Sequence, residues 1–194
     1  MKHSKKFLDL ISLILRKINS EKIEKIVKVL QILKKKKGRL FFLGVGGSGA
    51  NCSHAVNDFR KLCQIEAYSP IDNVAEITAR TNDSGWHTVF EEWLKISKLS
   101  KNDCIFILSV GGGNKKKNVS TNLIRAIDFA KKKGSKILGI IGKKEGYAYK
   151  QSDYICLIPE VNKNLVTPIC EGMQSIILHL IVSDKRIQSC KTKW

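Results

Sequence analysis

Histidine and carboxylate side chains recur on two segments that the sequence predicts to be helical. His54 and Asp58 are four residues apart and share one face of a helix, while Glu171, Gln174 and His179 lie on the last predicted helix. Imidazoles and carboxylates hold Zn²⁺ or transfer protons. Glu171 and His179 would be about 12 Å apart along a straight helix. They can share one ion only at an irregular helix entry or between subunits. Polar residues of the core or surface are the alternative interpretation.

Two glycine-rich segments follow apolar runs that are typical of buried strands. Residues 44–49 precede a predicted helix, where glycines let the backbone approach an anion and free N–H groups favour negative charge. Residues 109–114 repeat this arrangement, and the helix after them begins with Ser120 and Thr121, whose hydroxyls can cap it or donate to phosphate. The dinucleotide-binding spacing and the Walker lysine are both missing. The two segments predict a site for a phosphomonoester, with a tight structural turn as the alternative for the first.

Strands alternate with helices along the chain. Apolar residues at helical spacing predict two amphipathic helices before the first strand. Strands are predicted at 39–45, 65–68, 104–110, 137–141 and 154–158, and later helices at 49–63, 74–80, 85–97, 120–133 and 168–183. Continuous apolar strands are typical of a parallel sheet covered on both faces, so the predicted class is α/β. Ligands collect at the carboxyl ends of such strands, where both glycine segments lie.

The chain is strongly basic. It has 194 residues, enough for one domain, and a formal charge of +18. Thirteen Lys/Arg but only Asp9, Glu21 and Glu24 fall within residues 1–39. Such a balance suits nucleic acid, an anionic membrane surface, an anionic substrate or simply solvated lysine faces. No nucleic-acid-binding motif is found, so nucleic acid is not expected as a partner; if it binds, its affinity should depend steeply on salt.

The cysteines and the N-terminus point to a cytoplasmic protein. Six cysteines without CxxC spacing are typical of reduced thiols. Residues 1–18 superficially resemble a signal peptide, but Asp9 interrupts the apolar run and no small-residue cleavage site follows, so a helix is predicted. No run of eighteen apolar residues occurs, and no membrane partner is expected.

Together the motifs resemble those of the bacterial phosphoheptose isomerases, a SIS-domain family. Residues 44–48 and 54–58 are similar to the GNGGS and HFAEE segments of that family. Residues 82–86, with Phe90, resemble its ND-x-GF…F segment, and residues 109–113 stand in place of its STSG loop. Residues 171–174, followed by His179, stand in place of QEIH and a second histidine. The resemblance runs in unbroken order from about residue 38 to 184.

The resemblance implies a three-layer α/β/α SIS (Rossmann-like) fold with a central parallel sheet. Residues 1–37 would form a helical N-terminal extension that packs on the domain and the oligomer interface, residues 38–184 the SIS domain, and residues 185–194 a basic tail. A cytoplasmic homotetramer with sites at subunit interfaces is implied, with Zn²⁺ as in many members. The implied reaction converts sedoheptulose 7-phosphate to a heptose 7-phosphate through an enediolate.

Site residues are carried over from the resemblance by position. The residues implied to bind phosphate or sugar are Gly46, Gly47, Ser48, Asn82, Asp83, Ser109, Gly111, Gly112, Ser120, Thr121 and Gln174. The residues implied to be metal ligands or acid/base groups are His54, Asp58, Glu171 and His179. Asp58 or Glu171 would be the base, and His179 its acid partner.

Four departures from the family pattern indicate a divergent subgroup. Asp58 replaces a glutamate, Glu171 a glutamine and Gly111 a serine, and residues 114–119 resemble an insertion that carries three lysines. These changes leave a second function open. The protein could be a non-catalytic SIS protein that binds a sugar phosphate or a protein partner, as tetrameric relatives that associate with the bacterial replication initiator do.

Overall fold

A computed structural model describes residues 2–191 of the protein. Its helices are α1 (His3–Lys17), α2 (Ser20–Lys35), α3 (Gly47–Cys63), α4 (Val74–Ser84), α5 (Val89–Ile96), α6 (Thr121–Lys132), α7 (Tyr147–Gln151) and α8 (Val166–Val182). Its strands are β1 (Leu40–Leu43), β2 (Ala67–Tyr68), β3 (Cys104–Ser109), β4 (Lys136–Ile141) and β5 (Tyr154–Leu157). Short 3₁₀ turns at Pro70–Asp72 and Lys163–Leu165 precede α4 and α8.

The five strands form one parallel sheet in the order β2-β1-β3-β4-β5. The chain enters at β1, adds β2 on one side and then crosses to add β3 on the other. Leu43 therefore pairs with Ile107, and the loops that follow β1 and β3 leave the sheet side by side. In doubly wound sheets of this order, such a switch point at the carboxyl ends of the strands is where ligands bind.

Helices cover both faces of the sheet. Successive strand residues point to opposite faces. Phe42 accordingly packs with Phe59 in a core formed under α1, α2, α3 and α8. Phe41 packs on the other face with Leu94 of α5, in a core shared with α6 and α7. The predicted three-layer α/β/α fold is confirmed.

The first two helices are part of this core. Asn19 caps α2, because its side chain accepts a hydrogen bond of 3.2 Å from the Lys22 N–H. Ile14 of α1 and Leu30 of α2 are fully buried, and α2 packs against β5. Apolar residues of the amphipathic N-terminal segment are therefore buried under the sheet.

Three details of the secondary structure differ from the predictions. Helix α5 begins at Val89, because Gly85 adopts a positive φ of 81° and residues 85–88 form a turn. Helix α8 begins at Val166, since Pro168 lies in its first turn, where no backbone N–H is needed. The five-residue helix α7 was not predicted.

The segment after α8 packs against the domain as far as it is described. Ile187 is fully buried, and the Ser189 N–H donates to the Leu62 carbonyl at 2.7 Å. Lys34 Nζ donates to the Ile187 carbonyl at 2.5 Å. Residues 185–191 are therefore attached to α2 and α3, while residues 192–194 of the predicted tail lie outside the described part.

Cysteines and the most apolar helix both belong to the interior. All six cysteines are free and five are buried, and burial raises the pKa of the Cys156 thiol to about 12. The stretch Lys163–Val182 is long and apolar enough to cross a membrane by length and composition alone. In its most apolar window 44% of the residues are buried within the fold, and one such helix is weak evidence of a membrane span.

Candidate active site

The candidate site follows the line along which α3 and α8 pack together. Near the start of both helices, Asn51 Nδ2 donates to the Glu171 carbonyl at 2.9 Å and to Gln174 Oε1 at 3.2 Å. Near their ends, Cys63 Sγ lies 3.7 Å from the Val182 carbonyl oxygen. Contacts progress in the same order along both helices, so α3 and α8 run parallel. Along this α3–α8 seam, side chains therefore follow one another from the glycine loop before α3 toward the C-terminal ends of both helices.

Two histidines and one aspartate meet midway along the seam. His54 Nε2 lies 3.3 Å from both His179 Nε2 and Asp58 Oδ2. His179 Nδ1 lies 3.6 Å from the same carboxylate oxygen. The sequence predicted that His54 and Asp58 share a face, and the packing of α8 adds His179. We call these three residues the His–Asp cluster.

Asp58 is the buried member of the His–Asp cluster. Its side chain is 12% exposed, whereas those of His54 and His179 are 46% and 54% exposed. Asn57 Nδ2 donates to Asp58 Oδ1 at 3.0 Å, which leaves Oδ2 directed at the histidines. The two imidazoles of the cluster are therefore accessible to solvent, and the carboxylate behind them is fixed in orientation.

The donor atoms of the His–Asp cluster fit a zinc ion. One atom from each residue can be chosen so that all lie within 4.8 Å of one another. Zinc bonds of about 2.0–2.1 Å place tetrahedral ligands about 3.3–3.4 Å apart. That separation matches the 3.3 Å between the two Nε2 atoms and the 3.3 Å from His54 to Asp58. Three nitrogen and oxygen ligands with an open side are also the usual set of a catalytic zinc site.

The first glycine loop precedes α3 at the upper end of the seam. Gly46 has a φ of 62°, a conformation that favours glycine, and no side chain caps the start of α3. Ser48 lies in the first turn and is almost fully buried. The first N–H groups of a helix have no partner within it and attract anions. The loop therefore has the features of the predicted phosphate site.

Glu171 lies at this upper end and not in the His–Asp cluster. A Cβ atom added to Gly47 would come within 2.7 Å of Glu171 Oε1 and closer still to Oε2. Seven residues separate Gly47 from His54, about 10 Å along α3. Within one chain Glu171 is thus separated from the cluster, as the spacing of eight residues on α8 had indicated. Its carboxylate instead faces the start of α3.

The second glycine loop is held by its own hydrogen bonds. Ser109 Oγ accepts from the Gly112 N–H at 2.9 Å. The Gly112 and Gly113 carbonyls accept from the Ala148 and Tyr147 N–H groups of α7, at 2.8 and 2.9 Å. Helix α7 therefore fixes the loop, and the Ser109 hydroxyl keeps its own proton to donate. Space beside Gly111 is open, since nothing lies within 4 Å of a Cβ placed there.

The predicted insertion forms a hairpin between this loop and α6. Asn114 and Val119 pair through two backbone hydrogen bonds of 2.9 and 3.1 Å. Ser120 follows in the left-handed conformation, with a φ of 50°, and its side chain does not cap α6. Ser120 and the adjacent Thr121 are partly exposed at the start of the helix. The predicted capping role of the Ser120 side chain is therefore wrong, because the hairpin imposes a different backbone geometry.

Three other predicted ligand-binding residues lie apart from the His–Asp cluster. Gln174 is fully buried, with its oxygen bonded to Asn51. Asn82 and Asp83 are exposed at the end of α4, where Asn82 Nδ2 donates to Asp83 Oδ1 at 2.9 Å. Within residues 2–191, neither Asn82 nor Asp83 makes a hydrogen bond or ion pair with the His–Asp cluster.

Two residues that position the site were not predicted from the sequence. Asn51 links α3 to α8, and Asn57 orients Asp58. A signal for Asn51 was present, because Gly47, Asn51, His54 and Asp58 follow one another at intervals of four, three and four residues. Such spacing marks one face of a helix.

The sequence is similar to those of phosphoheptose isomerases and of one biosynthesis protein. The chain is 28% identical over 162 residues to the phosphoheptose isomerase of a Nitratiruptor species, covering 81% of this chain and 80% of that protein. It is 27% identical over 154 residues to the lincomycin biosynthesis protein LmbN of Streptomyces lincolnensis, covering 74% of this chain but only 54% of LmbN. No protein-family model matches the chain.

The fold is also that of known isomerases. The structure of the phosphoheptose isomerase from Neisseria gonorrhoeae superposes with a TM-score of 0.77 at 17% identity, over 93% of this chain and 98% of that one. In sequence and in fold, the chain is similar to phosphoheptose isomerases.

Proposed function

We propose that the protein is an aldose–ketose isomerase that acts on a sugar phosphate, sedoheptulose 7-phosphate being the expected substrate. The observation that carries this proposal is the order of groups along the α3–α8 seam. An uncapped helix start that follows a glycine loop lies at one end, and the His–Asp cluster lies about 10 Å farther along α3. A phosphorylated sugar of several carbons has a comparable extent. Its phosphate can occupy the glycine loops while its carbonyl end reaches the cluster.

In the proposed mechanism, Asp58 and His179 move protons between C1 and C2 of the ketose. Asp58 removes a proton from C1 while His179 donates one to the carbonyl oxygen at C2, which gives the enediol through an enediolate. His179 then takes the proton of the C1 hydroxyl as Asp58 returns a proton to C2, and the aldose results. Asp58 is the proposed base because Asn57 fixes Oδ1, while Oδ2 faces the two imidazoles at 3.3 and 3.6 Å.

Zinc binding is the alternative role of the same cluster: His54, Asp58 and His179 would hold the ion, and Asp58 and His179 would then be ligands instead of the base and the acid. A bound zinc ion supplies Lewis acidity that stabilises negative charge on the sugar oxygens. The support for this assignment is the choice and separation of the donor atoms in the His–Asp cluster.

The proposal is tested by incubating the purified protein with sedoheptulose 7-phosphate, with and without added Zn²⁺. We expect an aldose phosphate to form, and the C1 hydrogen of the substrate to exchange with solvent deuterium. Binding of the sugar phosphate without turnover or exchange would favour the non-catalytic alternative instead. The same assay with five- and six-carbon ketose phosphates defines the chain length that the site accepts.

Replacing Glu171 by Gln should strengthen binding of the phosphorylated substrate. The Glu171 carboxylate lies against Gly47, where the phosphate is expected, and the two anions repel each other. Removing the charge should lower KM about fivefold and leave kcat nearly unchanged. Steady-state kinetics with the matched variant Glu21→Gln, an exposed glutamate of α2, provides the control. A fall in kcat of a hundredfold or more would instead make Glu171 the base.

We propose further that copies of the chain assemble over the His–Asp cluster. Ile176 and Leu180 are 46% and 49% exposed on the same face of α8, and His179 lies between them. Exposed apolar residues that border a reactive group are typical of an interface. A second copy on this face would exclude water from the histidines. The exposed Leu8 and Leu13 of α1 offer a second contact, as a cytoplasmic tetramer requires.

Leu180→Asp should disrupt this assembly and reduce activity with it. The introduced charge would be buried without a partner in the interface, which is strongly unfavourable. Light scattering coupled to size exclusion should show a smaller mass for this variant and an unchanged mass for Ile96→Asp, an exposed apolar position on α5. The interface proposal is wrong if the wild-type protein is a monomer or if Leu180→Asp keeps the wild-type mass.

A further inference from the structure

A cavity distinct from the candidate active site lies at the carboxyl ends of β4 and β5. Its volume is about 680 Å³, within the usual size range of small-molecule sites. One wall is residues 142–145, which follow β4, and another is the corner between α1 and α2, including Lys17 and Lys22. Its floor is apolar, with Ile155 and Ile158 buried beneath it. No residue of the His–Asp cluster or of the two glycine loops lines it, so this β4–β5 cavity is separate from the candidate active site.

Four lysines face the β4–β5 cavity, from both walls. They are Lys17, Lys22, Lys143 and Lys144. Throughout residues 2–191, none of these ammonium groups has a hydrogen-bond or ion-pair partner. Only a minority of the other described lysines are paired, as Lys136 is with Asp153 at 2.5 Å. Glu145 and Glu160 also line the cavity but leave the lysines in excess.

We propose that the β4–β5 cavity binds a phosphorylated small molecule that carries at least two negative charges. Like charges around a concave surface repel one another and create a positive potential that attracts anions. Cations on both walls favour a ligand with more than one anionic group. The carboxyl ends of parallel strands are also where α/β folds bind their ligands.

The apolar floor adds a preference for an organic body on the ligand. Leu157 and Pro159, both partly exposed, offer a surface that phosphate groups alone would leave in contact with water. Tyr149, which is 38% exposed, adds an aromatic face at the wall. A ligand with an apolar or planar part gains from burying this surface. A nucleoside diphosphate has both the charge and the planar part.

Isothermal titration calorimetry tests the proposal with three probes: pyrophosphate, ADP and adenosine. Pyrophosphate should bind with saturation, ADP more tightly, and adenosine far more weakly than ADP. The double variant Lys143→Glu/Lys144→Glu should weaken ADP binding about tenfold or more, because two attractive contacts become repulsive. The matched variant Lys35→Glu/Lys36→Glu makes the same change of charge at two exposed lysines outside the cavity and should bind within about twofold of wild type.

A third variant separates this cavity from the candidate active site. Ser48→Ala/Ser109→Ala alters both glycine loops and should leave ADP binding at the β4–β5 cavity unchanged. The proposal is overturned if pyrophosphate and ADP show no saturable binding, if both lysine pairs weaken binding equally, or if only the serine variant weakens it. None of these outcomes bears on whether the protein isomerises a sugar phosphate.

Discussion

Replacing Asp58 by Asn, or His179 by Ala, is expected to lower kcat about 10²- to 10⁴-fold, the usual contribution of one acid or base group. Asp58→Asn keeps the shape of the side chain but removes the group that takes the proton. His179→Ala removes its acid partner, which lies 3.6 Å from the Asp58 carboxylate. Steady-state kinetics with sedoheptulose 7-phosphate measures both effects.

A stability control separates chemistry from folding. Both histidines of the cluster are about half exposed, so thermal unfolding of His179→Ala should occur close to the wild-type temperature. His3→Ala, which removes an exposed histidine of α1, should retain full activity. Wild-type kcat in folded Asp58→Asn would remove Asp58 from the mechanism, and wild-type kcat in His179→Ala would remove His179.

Ser48→Ala and Ser109→Ala should each raise KM about 10- to 100-fold. A hydrogen bond to a charged group contributes about 1.5–3 kcal/mol, and that is the loss expected when either hydroxyl no longer contacts the phosphate. Ser48 follows β1 and Ser109 ends the neighbouring strand β3, so their effects should fall on the same group. Binding that is uniform in the ground and transition states affects KM more than kcat.

The two serines differ in the hydrogen bonds that they make within the protein. Ser109 Oγ also accepts a hydrogen bond from the Gly112 N–H. Replacing Ser109 should therefore disturb the second glycine loop and have the larger effect on KM. Ser12→Ala, at an exposed position of α1, is the matched control and should not change KM. An unchanged KM in both Ser48→Ala and Ser109→Ala would mean that the phosphate binds elsewhere.

Most of the fold could be predicted because buried parallel strands are continuous apolar runs. Strand β3 is an example, since all six of its residues are buried and its run of apolar letters is unmistakable. Helix α7 could not be predicted, because five residues are too few to show a helical period. The start of α5 was placed too early, since the turn that contains Gly85 continues the polar and apolar spacing of the helix.

The candidate site was less accessible to sequence reasoning. The spacing of His54 and Asp58 indicates a shared face, but nothing local to α3 shows that α8 packs parallel to it and adds His179. The position of Glu171 depends on the same packing, which sets it beside Gly47, at the opposite end from the His–Asp cluster. The β4–β5 cavity has no sequence signal, because its lysines are four among 35 Lys and Arg residues in the chain.

The short strands at both margins of the sheet limit how this protein can associate. Strand β2 has two residues and β5 has four, so neither margin offers a long row of unpaired backbone groups to another chain. Brief outer strands protect a sheet from edge-to-edge pairing and from the aggregation that follows it. We therefore expect any oligomer of the chain to form without pairing of sheet margins, and the protein to remain dispersed at concentrations where chains with open sheet margins precipitate.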